Sequence, residues 1–166
     1  MRFLKTYTFA FLLMFSFSNQ SVGEQPVIKK YYIAYAKKYL GYHERTHREE
    51  IYELVGVDPV EIEWCAAFVN AILHKAGLAG SEIVSDYPLL ARSFLKWGHT
   101  VDSPRYGDIM VFERGESWQG HVGFYVGTTI VNGVEFYEIL GGNQKNEINI
   151  SLYPAHRLIE IKRATI

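Results

Sequence analysis

The chain has 166 residues, 48% of them hydrophobic and 21% charged, with a formal net charge of −1. That length supports one domain with a real core and is too short for two comfortable ones. The composition excludes a disordered or fibrous chain, and the near-neutral charge excludes nucleic-acid binding by bulk electrostatics.

Arg2 and Lys5 open the chain, an apolar run follows from Tyr7 to Phe17, and Ser21-Val22-Gly23 sets small residues ahead of Glu24. This is the layout of a secretory signal spanning residues 1–23. The apolar run is shorter than the roughly 20 residues that a membrane-spanning helix requires. The expectation is a mature domain over 24–166, secreted or periplasmic, with no stable membrane anchor after cleavage. Cys65 is the single cysteine. In an oxidising compartment it has no internal partner and is a liability, an intermolecular bridge or a reactive group.

Helical spacing is expected first. Ile28, Tyr32, Tyr35, Tyr39 and Leu40 fall on one face of a segment from Val27 to Leu40, with Gly41 as its stop. Thr46 and Glu49 have the spacing of a capping box for a second helix that buries Ile51, Leu54 and Val55. Trp64 to Ala76 reads as a third, Ala-rich helix ended by Gly77, and Pro88 to Trp97 as a fourth with proline in its first turn. From Gly107 the period changes to that of strands: Ile109–Phe112, then Val122–Val126 entered through Gly120-His121. An Asn132-Gly133 hairpin joins Thr129–Val131 to Val134–Leu140, and two further strands run near Ile148–Leu152 and Leu158–Ile161. Helices followed by an antiparallel sheet predict an α+β fold.

Cys65 stands at the start of the third helix, where the helix terminus should favour a thiolate and its free N–H groups can hold an oxyanion. The alternative is a small buried residue in an apolar helix. His121, flanked by Gly120 and Gly123, opens a central strand and can accept a thiol proton and return it to a leaving amine. The glycine at 120 lets a substrate approach. If the next strand returns antiparallel, Asn143 comes beside His121 and can fix its tautomer, with Glu138 a weaker candidate for that role. Trp64 and Trp118, near Cys65 and His121 in sequence, are read as cleft walls, and Gln144 as a substrate contact. Arg105 and Arg114 have the chemistry to meet substrate carboxylates, or lie on a solvated surface.

Glu63-Trp64-Cys65-Ala66-Ala67-Phe68-Val69-Asn70, Gly107-Asp108-Ile109, Gly120-His121-Val122-Gly123-Phe124 and Leu140-Gly141-Gly142-Asn143-Gln144 resemble the CHAP and NlpC-type hydrolases, a papain-like superfamily. The resemblance runs from about Tyr39 to Arg163. It implies N-terminal helices packed on a C-terminal antiparallel sheet, with Cys65 as nucleophile, His121 as base and Asn143 completing a triad. It implies attack on peptidoglycan, at a stem-peptide amide or the muramoyl–peptide amide, through an acyl-enzyme and without a metal or organic cofactor. Many CHAP members carry a glutamate two residues before the matching asparagine; here that position is Gly141. The implied partner is peptidoglycan, and use against a neighbouring cell would add an immunity or inhibitor protein. A module that keeps the fold and binds the wall without turnover is the alternative.

His43-Glu44-Arg45-Thr46-His47 matches the zinc-peptidase pattern HExxH. That chemistry requires both histidines one turn apart on a single helical face. Thr46 and Glu49 put a helix boundary between them and the segment is polar throughout, so it reads as a solvated connection.

Overall fold

The computed structural model describes residues 31–165, and the proposed signal segment lies outside them. Residues 31–36 are helical and continue into a 3-10 turn at Lys37–Tyr39. Helices follow at Arg48–Val55 and Cys65–Lys75. Six strands come next: β1 His99–Thr100, β2 Ile109–Glu113, β3 Gly120–Val131, β4 Val134–Gly141, β5 Asn149–Pro154 and β6 Leu158–Arg163. They form one sheet in the order β1-β6-β2-β3-β4-β5, every pairing antiparallel. The α+β layout matches the sequence expectation, and the Asn132-Gly133 hairpin turn has both residues at positive φ.

Two expected local features differ. Thr46 makes no capping box: its hydroxyl turns to His43 O and His47 Nδ1, and the helix starts at Arg48 without a side-chain cap. The expected helix at Pro88–Trp97 is a 3-10 segment, Ala91–Lys96. The Pro88 carbonyl, which would anchor an α-helical turn there, accepts instead from Asn70 Nδ2 at 3.0 Å and Ser81 Oγ at 3.2 Å. A tertiary bond has taken the helix's first acceptor.

The sheet is strongly curled. Only the Ala155–Arg157 turn joins β5 to β6, although these strands are four positions apart in the sheet. In a flat sheet they would lie roughly 19 Å apart, beyond the roughly 14 Å that the linking residues can span. The curl brings Tyr153 of β5 onto Phe112 of β2, ring centroids 4.8 Å apart. Alternation along β2 then feeds two cores. Ile109 and Val111 join the helices around Phe68, Ile72 and Phe124, while Met110 and Phe112 join Ile139, Ile161, Tyr137 and Tyr153 on the other face.

A buried ion pair ties the last strand to the loop that enters β2. Asp108, fully covered, accepts from Arg163 Nε at 3.0 Å and Nη2 at 2.6 Å and from the Arg105 N–H at 2.7 Å. The Tyr32 hydroxyl bonds the neighbouring Gly107 carbonyl, so the first helical segment is fastened at the same place. Breaking a pair of this kind strands a charge. Asp108→Asn is expected to cost about 3 kcal/mol of stability in urea unfolding; a loss under about 0.5 kcal/mol would show that the pair is not needed to hold the fold.

Candidate active site

Cys65 is the first residue of its helix, and Trp64 before it makes no side-chain cap to the first turn. The residue is 4% exposed. It lines a cleft of about 220 Å³ together with Glu63, Leu90, Arg114, Trp118 and Gly120. The backbone N–H groups of Val122 and Ala66 lie near enough to the sulfur to favour its thiolate. The first of these belongs to the residue after His121, so the thiol lies against the mouth of β3.

His121 is fully buried at the second position of β3, opposite Phe112. The Tyr153 ring stacks on the imidazole at 4.8 Å with an interplanar angle of 4°. Imidazole Nε2 lies 3.0 Å from Gln144 Oε1, while Nδ1 is buried without a hydrogen-bond partner. The direction of the His121–Gln144 bond follows from its surroundings. Gln144 Nε2 donates to Ile139 O at 3.1 Å, Asn149 O at 2.7 Å and Asn149 Oδ1 at 2.9 Å. Asn149 is fixed in turn, its Nδ2 donating to Gln144 O and its Oδ1 accepting from the Ser151 hydroxyl. With three oxygens around its nitrogen, the Gln144 amide can offer the ring only its oxygen. Nε2 must then carry the proton and Nδ1 the lone pair.

The turn that delivers Gln144 is held in a costly conformation. Asn143, Lys145 and Asn146 all have positive φ, and Gln144 N–H closes the turn on Glu147 O. Pairing of Gly41, Tyr42 and Glu44 with Ile148 and Asn146 clamps the segment from the other side. Gly142 lets it close on the cysteine helix: a Cβ there would sit 2.5 Å from the Trp64 ring and 2.7 Å from Phe68 Cβ. A Cβ at Gly141 would lie 3.1 Å from Gln144 Oε1 and 3.3 Å from His121 Nε2. Position 141 is thus empty of side chain, and Gln144 reaches the imidazole across it.

Several expectations are corrected by this arrangement. Asn143 does not meet His121; its Nδ2 donates to Glu63 Oε2 at 2.6 Å. Glu138 pairs with Gly127 and Leu152, far along the strands from the imidazole. Gln144, expected as a substrate contact, is buried and spent on the ring and the turn. Trp64 is no cleft wall: it is fully buried, with its indole N–H on Glu44 Oε2 at 3.3 Å. Trp118, 60% exposed, and Gly120 do line the cleft. The HExxH segment does not gather as zinc chemistry requires. His43 sits at a bridge to Glu147, Glu44 turns inward to Trp64, and His47 stacks on Tyr42 ahead of the helix. No metal-binding cluster occurs among the described residues. Tyr153 carries no motif; only the curl of the sheet brings it to the site.

Burial governs the electrostatics. It pushes the Cys65 thiol above its ordinary range, outweighing the two N–H groups and the Arg114 charge that favour the thiolate. The helix start therefore does not produce the lowered pKa expected from sequence. Burial also drives the His121 imidazole down to about 3, with Gln144 opposing and the Arg114 charge assisting. Burial therefore disfavours the charged form of both groups.

A folded-state pKa below the unfolded value means that the unfolded chain binds more protons between about pH 6.5 and 3, so stability is lost as the pH falls through that window. The difference in unfolding free energy between the native protein and His121→Gln should therefore shift by about 1.4 kcal/mol per pH unit from pH 6 to 4. Parallel stability curves would mean that the ring titrates normally.

The family model of the CHAP domain matches residues 57–143, just over half of the chain and inclusive of Cys65, His121 and Asn143. No curated protein matches the sequence. With this match in hand, the chain belongs to the CHAP-domain family, whose members are usually hydrolases acting on peptidoglycan.

Proposed function

We propose that this protein is a cysteine-dependent peptidoglycan hydrolase that cleaves an amide within the stem peptide or at its junction with muramic acid. The supporting observation is the imidazole itself: a buried ring whose Nε2 proton is fixed by Gln144 and whose Nδ1 lone pair is left unused, in the residue just before Val122, whose N–H acts on the Cys65 sulfur. Such a group has the protonation state of a base and no structural bond for that atom to make.

The reaction then runs as follows. Cys65 Sγ attacks the carbonyl carbon as its proton passes to His121 Nδ1, and the carbonyl π electrons move onto oxygen. N–H groups at the uncapped helix start stabilise that oxyanion. Collapse breaks the C–N bond, and the Nδ1 proton leaves with the amine. Water, deprotonated by Nδ1, attacks the resulting thioester and releases the carboxylate product and the thiol. Gln144 Oε1 holds the Nε2 proton throughout and steadies the imidazolium when it forms. Secretion through the basic and apolar start of the chain would carry the domain to the wall.

Mass spectrometry of digested peptidoglycan tests this reading. Cys65→Ala should release no muropeptides, and undiminished release would end the proposal. Gln144→Ala should lower kcat about 100-fold, whereas Asn143→Ala should stay within about threefold of native. The reverse ranking would return the orienting role to Asn143.

A further inference from the structure

Arg114 follows directly on β2 and lines the cleft beside Cys65. Among the described residues it is the only cationic side chain that does so. The nearby arginines are committed to backbone: Arg92 Nε donates to Gln119 O at 2.6 Å and Arg157 Nη2 to Glu113 O at 3.0 Å, fastening the two ends of the segment that carries Arg114 and Trp118. Arg114 makes no hydrogen bond to any described residue. Its one ionic neighbour, Glu63, lies 3.9 Å away, and that same carboxylate oxygen already accepts from Asn143 Nδ2 at 2.6 Å. Both side chains are solvent-exposed, 49% and 78%, so water screens the pair and it contributes little.

The guanidinium therefore presents a planar fork of unused donors to a cleft lined also by Glu63, Leu89, Leu90, Ala91, Trp118 and Gln119. It also stands within electrostatic reach of the reacting groups, since its charge bears on the Cys65 thiol, the His121 ring and the Tyr153 hydroxyl. A fork of this kind matches a carboxylate in two parallel hydrogen bonds; a carboxamide offers one oxygen and no charge.

We infer that Arg114 is a specificity-determining residue that binds a free carboxylate of the stem peptide close to the scissile amide, so that the protein separates stems with that carboxylate from stems in which it is amidated. The inference rests on the hydrolase reading for its substrate class.

The test uses synthetic stem tetrapeptides in which each carboxylate is converted in turn to the carboxamide. kcat/KM is measured for the native protein, Arg114→Gln and Arg114→Lys, and equilibrium binding is measured by calorimetry on Cys65→Ala with and without Arg114→Gln. One amidation should lower both kcat/KM and affinity about 10- to 100-fold in the presence of Arg114. Arg114→Gln should lose a similar factor on the free carboxylate and cease to discriminate, while Arg114→Lys keeps part of the preference. Equal treatment of all peptides by the native protein, discrimination that survives in Arg114→Gln, or no binding at all would overturn the inference. Cleavage without discrimination removes the carboxylate site and leaves the hydrolase standing. Discriminating binding by Cys65→Ala with no turnover by the native protein does the opposite.

Discussion

A neutral amide turned so that it can show only its oxygen organises the centre of this molecule. Gln144 is not itself a strong partner for an imidazole; a carboxylate would bond the ring more tightly and raise its basicity further. Its value lies in directional certainty. Three oxygens surround its nitrogen, and Asn149 closes the turn behind it. The result is one tautomer of a ring that is sealed from water and pressed flat against Tyr153. Remove that constraint and either ring nitrogen could carry the proton, with half of the resulting states unable to accept one from sulfur.

The constraint is built from pieces that stabilise little by themselves. Left-handed backbone at Asn143, Lys145 and Asn146 is unfavourable, and persists because the surrounding pairings over-determine it. Gly142 removes the side chain that would hold the turn away from Trp64 and Phe68. The Trp64 indole is tied in turn to Glu44, in the polar connection whose backbone pairs with the far side of the same turn. The residues that mimic a zinc motif thus serve as scaffolding for the cysteine helix and the glutamine turn together. Buried polar groups with every partner supplied can specify one arrangement where apolar packing alone would allow several.

Much of this was legible from residue order. The period change at Gly107, the Asn132-Gly133 turn and the glycines around His121 locate the strands, and the antiparallel return of β4 correctly brings the 141–144 segment back to the ring. What sequence could not resolve is which side chain of that segment faces inward. Alternation fails once the backbone turns left-handed, so a strand rule carried past Gly141 selects Asn143 and misses Gln144. The role of Trp64 was misread for a related reason. Adjacency to Cys65 in sequence says nothing about direction, and the residue before a helix can point into the core. Burial supplied the third surprise: a helix terminus favours a thiolate, but desolvation of an almost fully covered sulfur is the larger effect.

The closure of the sheet through the three-residue link at Ala155–Arg157 couples the site to a distant strand. Tyr153 reaches the imidazole from the edge strand β5, two strands away in the sheet order, and the short link to β6 holds it there. No single hairpin contains both rings. The burial of the imidazole on that side thus depends on a residue two strands away in the sheet rather than on its immediate strand neighbours alone.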